Sequence, residues 1–332
     1  MKSILMGGAN VPSVYPPETL EVLRLEAGLE SRVITKDEIL AAPEKTANTE
    51  YIFATWGMSK FTEEEIRRCF PSLKAIFYAA GTVQAFAREF FSCGVRIFSA
   101  WGANAVPVAE YTVAQILLAN KGFFQACRMN HSPEGRKAAA AYHRAFPGNY
   151  NCKVGLIGAG MIGKLVLKML KPYDLEVYIS STSMTGEQAA QYGAKKATTE
   201  EIFAQCQTIS NHVADLPATK GMFGKELFKL MKPNATFINT GRGAQVVEED
   251  LIAALQANPD MTAVLDVTYP EPPEEGSPLY TLPNVFLTPH IAGSSGSEVQ
   301  RMSAYMLEEY RRWCKGEPLK WEVTPKLLET MA

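Results

Sequence analysis

Side chains of three different chemistries follow three apolar runs in the C-terminal third of the 332-residue chain. Arg242 follows "ATFINTG", Asp266 and then Glu271 follow "TAVL", and His290 follows "VFLTP". A guanidinium at such a place suits a carboxylate, which it binds through two parallel hydrogen bonds. An imidazole can give or take a proton near neutral pH, and a neighbouring carboxylate stabilises its charged form. Pro270 and Pro272 stiffen the loop that carries Glu271. A lone histidine is usually structural. A cation, an acid and an imidazole at successive strand ends form a constellation suited to acid–base chemistry on a carboxylate-bearing molecule.

A fourth element precedes them. "VGLIGAGMIGKLV" places Gly158, Gly160 and Gly163 in a GxGxxG pattern between an apolar strand and a helix. Gly158 permits the turn, Gly160 lets the backbone approach a pyrophosphate, and Gly163 lets the helix pack closely. The free N–H groups of Met161 and Ile162 then face the phosphates. A dinucleotide is the expected ligand. The next strand ends in Ser180, Ser181, Thr182 and Ser183, without the acid that bonds the ribose of NAD. The cofactor is therefore read as NAD(H) or NADP(H), with a lean to NADP(H).

These residues need strand ends to hold them, and the chain supplies strands in alternation with helices. "SILMGGA", "SRVITK", "YIFATW", "LKAIFYAA" and "VRIFSA" read as strands of a first lobe, separated by helical patterns. The alternation restarts at "KVGLIG" and runs through "EVYISS", "TISNHV", "ATFINTG", "TAVLDV" and "NVFLTP". The order predicts mostly parallel sheets covered by helices. Residues 107–121 predict a helix with Pro107 at its start, 219–232 another, and 296–316 a last long one.

The composition excludes other classes. A net charge of −2 gives no electrostatic case for nucleic acid or an anionic membrane. Cys69, Cys93, Cys127, Cys152, Cys206 and Cys314 form no CxxC pair, so reduced thiols and no metal are expected. The chain shows neither a signal-peptide pattern nor an apolar run long enough for a membrane span, which predicts a cytoplasmic protein.

From about residue 75 onward the sequence resembles the D-isomer-specific 2-hydroxyacid dehydrogenase family, of the glyoxylate/hydroxypyruvate reductase kind. The likeness rests on "WGANAVPVAEYT", "GLIGAGMIG", "FINTGRGAQVVEEDLIAAL", "LDVTYPEPP" and "LTPHIAG". It implies an α/β fold of two doubly wound parallel-sheet lobes, a Rossmann-type cofactor domain inserted in a flavodoxin-like substrate domain. The substrate domain is expected over 1–104, completed by 294–332. The dinucleotide domain is expected over 105–293, with 105–150 as a homodimerisation segment in which His131 and His143 are surface or interface residues.

The resemblance also implies the catalytic set Arg242, Glu271 and His290. Arg242 would hold the carboxylate of a small 2-oxo acid. His290, backed by Glu271, would protonate the 2-oxo group while a nicotinamide supplies hydride. Thr240 and Asp266 would line the nicotinamide, and His212 and Val213 the adenosine half, with Ala214 where relatives usually have proline. Substrate contacts are expected from Trp56, Gly57, Gly81 and Asn104. Formate dehydrogenases share the pattern with a glutamine beside the histidine, and Glu271 argues against that reading. Transcriptional corepressors share the fold and a similar triad, so a dinucleotide-sensing binding protein is the alternative. Their long disordered tails have no counterpart of that composition here, which favours an enzyme.

Overall fold

The computed structural model describes residues 2–329. It divides into two compact units, Met1–Asn104 with Ser294–Ala332, and Ala105–Gly293. In the first unit the strands are β1 (Ser3–Met6), β2 (Leu29–Val33), β3 (Tyr51–Ala54), β4 (Ala75–Tyr78) and β5 (Arg96–Ser99). In the second they are β6 (Lys153–Ile157), β7 (Glu176–Ser180), β8 (Ala194–Lys196), β9 (Thr208–Asn211), β10 (Thr236–Asn239), β11 (Thr262–Leu265) and β12 (Val285–Leu287). A two-residue strand, β13 (Glu322–Val323), returns to the first unit.

The first sheet has the order β13-β5-β4-β3-β1-β2. Its five parallel strands follow the flavodoxin-like order, and β13 adds an antiparallel edge beside β5. The second sheet runs β12-β11-β10-β9-β6-β7-β8, parallel throughout, which is the Rossmann order extended by one strand. In such a sheet the order reverses between β6 and β9, and ligands collect beyond the carboxyl ends there. β1, β3 and β4, like β9, β10 and β11, are buried at every residue, as in a parallel sheet covered on both faces.

Threonines open several of the short helices. Thr35, Thr62, Thr185 and Thr198 each accept from the N–H three residues on, and Glu38, Glu65, Gln188 and Glu201 answer in reciprocal capping boxes. Each unit has its own hydrophobic core. One draws on β1, β3, β4 and β5 with Met302, Met306 and Tyr310 of the helix Gln300–Lys315. The other unit packs Val154, Leu156, Val166 and Ile179 on one side of its sheet and Phe203, Phe223, Phe237 and Leu251 on the other.

The helix expected to begin at Pro107 begins instead at Trp101 and runs to Ala119, with Pro107 inside it. Proline there removes the hydrogen bond to the Ala103 carbonyl. Complete burial of Ala103 and Ala109 accompanies that loss. The stretch 219–232 is helical only over Lys225–Phe228, because Gly221 turns the chain with φ of 64° and the N-cap Gly224 is extended. β8, β13 and the helix Gly186–Gln191 have no counterpart in the sequence pattern. All three are too short to establish a period.

Candidate active site

The turn after β10 presents Arg242 through a set of buried amides. Asn239 accepts from the Gly241 N–H (3.0 Å) and donates to the Arg242 carbonyl (3.1 Å). Gln245 accepts from the Arg242 N–H at 3.2 Å. A side chain at 241 would meet Asn211 Nδ2 at 2.7 Å, so only glycine fits between the amides. The half-buried Arg242 guanidinium donates to the Gly241 carbonyl (2.8 Å). It has no carboxylate partner among the described residues. A cation left half-buried and unpaired is suited to an external anion. Thr240, nearly buried, meets the Thr112 hydroxyl at 3.2 Å.

Beyond β12 the chain places His290 Nδ1 2.7 Å from Glu271 Oε1. The imidazole is thereby oriented, and Nε2 faces away from its carboxylate partner. The residue adopts a left-handed backbone, φ 55°, which a non-glycine residue takes only when its surroundings impose it. Asp266 imposes it. Its carbonyl accepts from the His290 N–H (3.0 Å), and its carboxylate accepts from the N–H groups of Ile291 (2.8 Å) and Ala292 (2.9 Å). The Thr288 hydroxyl donates to the same carboxylate at 2.6 Å. With that proton spent, the Tyr111 hydroxyl must be the donor in its 2.9 Å contact with Thr288. Burial raises the Tyr111 phenol above its ordinary range, keeping the donor proton in place. Asp266, 2% exposed, thus braces the His290 loop. A pocket of about 370 Å³ lies beside the pair, lined among others by Thr268, Glu271, Pro272, Tyr280, Leu287 and His290.

The glycine turn follows β6. Gly158 has φ of 100°, and a Cβ there would lie 2.5 Å from the His212 carbonyl oxygen. A Cβ on Gly163 would lie 2.1 Å from the Gly158 oxygen, whereas one on Gly160 would meet nothing within 4 Å. The first and third glycines are therefore demanded by the protein's own packing. The second opens on space that an approaching phosphate would need. The helix Met161–Leu170 starts behind Gly160 with no side-chain cap, leaving its first N–H groups, those of Met161 and Ile162, for an anion. These residues fit a dinucleotide's pyrophosphate.

His212 and Val213 lie beside that turn, but the His212 imidazole is buried, 8% exposed. Its Nε2 meets the Ser210 hydroxyl at 3.0 Å, and Nδ1 has no partner among the described residues. Burial pushes its pKa down to about 4, so the ring is neutral. What this stretch offers at the turn is backbone. At the β7 end, Ser180 bonds Thr199 (3.0 Å) and Ser181 bonds Ser183 (3.1 Å), while Thr182 is exposed. Lys195 pairs with Glu176 at the opposite end of β7. Lys196 reaches the Met184 carbonyl (2.7 Å), which brings an ammonium beside the serine cluster.

The remaining sites lie in the first unit. Trp56, partly buried against its core, and Gly57 follow β3, and Gly57 (φ 87°) abuts Gly8 closely enough that a Cβ would strike the Gly8 nitrogen at 2.6 Å. Gly81 follows β4 with open space where a Cβ would stand. The Asn104 side chain accepts from the Ser294 N–H at 3.0 Å, joining the two points where the chain leaves and re-enters this unit. His131 and His143 are exposed.

Residues 114–292 match the family model described as D-isomer specific 2-hydroxyacid dehydrogenase, NAD binding domain, over more than half of the chain. The chain belongs to this family. Human glyoxylate reductase/hydroxypyruvate reductase is 35% identical over 171 residues, covering 51% of this chain and 52% of that protein. A formate dehydrogenase of Neurospora crassa is 32% identical over 222 residues, covering 64% and 58%. The chain thus spans little more than half the length of these curated relatives. The D-mandelate dehydrogenase of Rhodotorula graminis, solved without ligand, shares the fold with a TM-score of 0.81 at 20% identity, covering 97% of each chain.

The groups that hold the loops of Arg242, Glu271 and His290 do not stand out in the sequence pattern. Tyr111, Thr288, Asn211, Asn239 and Gln245 are each at least partly buried and hydrogen-bonded to the presenting loops. A signal for some of them was present: Asn211 and Asn239 end otherwise β-rich runs, where an amide has no place in an apolar core unless paired.

Proposed function

We propose that this protein interconverts a small 2-oxo acid and the corresponding D-2-hydroxy acid using a nicotinamide dinucleotide. The observation that carries the reading is the 2.7 Å contact between His290 Nδ1 and Glu271. It orients the imidazole in a unit that also holds an unpaired Arg242 and a glycine turn fitted to a pyrophosphate. The carboxylate at 271 favours a 2-oxo acid over formate, since it takes up the Nδ1 position and leaves Nε2 to donate to a keto oxygen.

Arg242 binds the substrate carboxylate and sets the keto group toward His290. Nε2 of the imidazolium donates to the keto oxygen and polarises the carbonyl. A reduced nicotinamide held at the glycine turn of Gly158, Gly160 and Gly163 would supply hydride chemistry at the carbonyl carbon. As charge builds on the oxygen, the Nε2 proton passes to it, leaving the hydroxy acid and a neutral imidazole. In the reverse direction neutral His290 takes the hydroxyl proton. In both directions Glu271 holds the ring in place through its contact with Nδ1.

NADPH is the proposed preference, supported by the serine cluster after β7, the absence of an acid there and the nearby Lys196. Substrate side-chain selection is assigned to Trp56, Gly57, Gly81 and Asn104. The six unpaired cysteines support a cytoplasmic setting. Exposed Leu118 and Phe123 support homodimer contacts within 105–150.

Purified protein mixed with NADH or NADPH and a panel of 2-oxo acids tests the reading through cofactor absorbance. Turnover of at least one acid is expected, with His290→Ala and Glu271→Gln lowering kcat by about 10²–10⁴-fold. Dinucleotide binding without turnover of any acid would replace the enzyme with a dinucleotide-sensing binding protein.

A further inference from the structure

The side chain of Gln245 is fully buried, and its amide makes four hydrogen bonds. Oε1 accepts from Arg242 N (3.2 Å) and Asn211 Nδ2 (2.6 Å), and Nε2 donates to the carbonyls of Val213 (3.0 Å) and Ala214 (2.9 Å). Four bonds exhaust what one amide can give and take. They join two different loops. One is the turn that presents Arg242. The other follows β9 and touches the glycine turn: a Cβ on Gly158 would stand 2.8 Å from Val213 N.

We propose that Gln245 is a positioning residue that couples dinucleotide binding to the setting of Arg242. The inference rests on the function proposed above. A buried amide cannot let go of one partner without leaving that partner desolvated, so a shift of the Val213–Ala214 backbone is passed on rather than absorbed. Nor is there slack at the receiving end. A Cβ on Gly241 would stand 2.7 Å from Asn211 Nδ2 and 2.9 Å from Gln245 Oε1, so the turn lies directly on the amide pair. A dinucleotide that settles the glycine turn and its neighbour at Val213 thereby settles the backbone of Arg242. By linkage, a carboxylate held on Arg242 tightens the dinucleotide in return. A longer link runs beside it: Asn211 accepts from the Val213 N–H (3.0 Å) and donates to Asn239 of β10 (3.0 Å), whereas Gln245 joins the two loops directly through one side chain.

Two variants of the full chain separate this role from simple packing. Gln245→Met removes all four bonds at similar volume. Gln245→Glu keeps both acceptor bonds to Arg242 N and Asn211 and loses both donor bonds to Val213 and Ala214. Hydrogen–deuterium exchange is followed with and without NADH or NADPH. In the wild type, dinucleotide slows exchange at 158–163 and at 240–245. In the variants the slowing at 158–163 persists and that at 240–245 disappears. The KM for the 2-oxo acid rises about tenfold, with kcat changed by no more than about threefold. Slowing at 240–245 that survives in either folded variant overturns the coupling and leaves the proposed function standing. A wild type with no slowing at 158–163 overturns the dinucleotide reading itself, and the coupling with it.

Discussion

His290 spends conformational energy to be where it is. A left-handed backbone at a non-glycine residue costs on the order of 1–3 kcal/mol, and the Asp266 carbonyl and carboxylate together take up the N–H groups of residues 290–292 in return. Another histidine of the second unit, His212, is buried and kept neutral. Its folded pKa lies near 4 against 6.5 for the free group, so below 6.5 the unfolded chain binds a proton that the folded chain does not. Stability from this group is therefore present above pH 6.5 and is lost as pH falls toward 4, by about 3 kcal/mol in all. Urea unfolding at pH 7 and pH 4.5 checks it by comparing wild type with His212→Asn. The wild type should lose more stability than the variant on acidification. Equal losses would mean that His212 does not titrate differently on unfolding.

At the scale of elements, the turn of β6 into the helix Met161–Leu170 shows why three glycines in one motif are not equivalent. Gly163→Ala forces a Cβ to 2.1 Å from a backbone oxygen, so the helix must move away from the turn. Both thermal stability and dinucleotide affinity should fall. Gly160→Ala adds a Cβ in open space, so the melting temperature should stay within about a degree or two while dinucleotide affinity drops, the methyl now standing where a phosphate approaches. Melting curves with and without dinucleotide distinguish the two, and equal melting losses would sink the argument. This motif was legible in the sequence because its context is local: strand, glycines, helix. The helix around Pro107 was not, since proline at a helix start is the commoner case and only tertiary burial carries a helix through it. The same holds for Gln245, whose four partners lie up to 34 residues away along the chain. No window reads that. β8 escaped notice because three residues have no period, yet its register beside β7 is what brings Lys196 to the serine cluster.

At the scale of the molecule, the chain leaves the first unit after Asn104 and returns at Ser294, so the stability of residues 1–104 depends on a segment nearly 200 positions later. Tyr310 carries much of that dependence. Its ring sits edge-on against Tyr51, Phe53 and Phe77, with centroids 5.3, 5.5 and 5.5 Å away, and its hydroxyl donates to the Glu26 carbonyl (3.2 Å). Glu309, beside it, is fully buried and accepts from the N–H groups of Lys320 and Trp321, which fastens the approach to β13. Tyr310, Tyr51, Phe53 and Phe77 belong to one core, and none belongs to the core that surrounds the glycine turn. Tyr310→Ala should therefore cost about 3–5 kcal/mol in the unfolding of the first unit, a large part of what holds a domain together. Dinucleotide affinity, measured below the lowered transition, should be unchanged. Added dinucleotide at 100 times its Kd should still raise the stability of the second unit by about 2.7 kcal/mol. Calorimetry of wild type and variant, each with and without dinucleotide, reads both quantities at once. A Tyr310→Ala protein that is folded yet has lost its dinucleotide would show that the two cores do not stand separately, and that the returning helix serves the cofactor unit as well as its own.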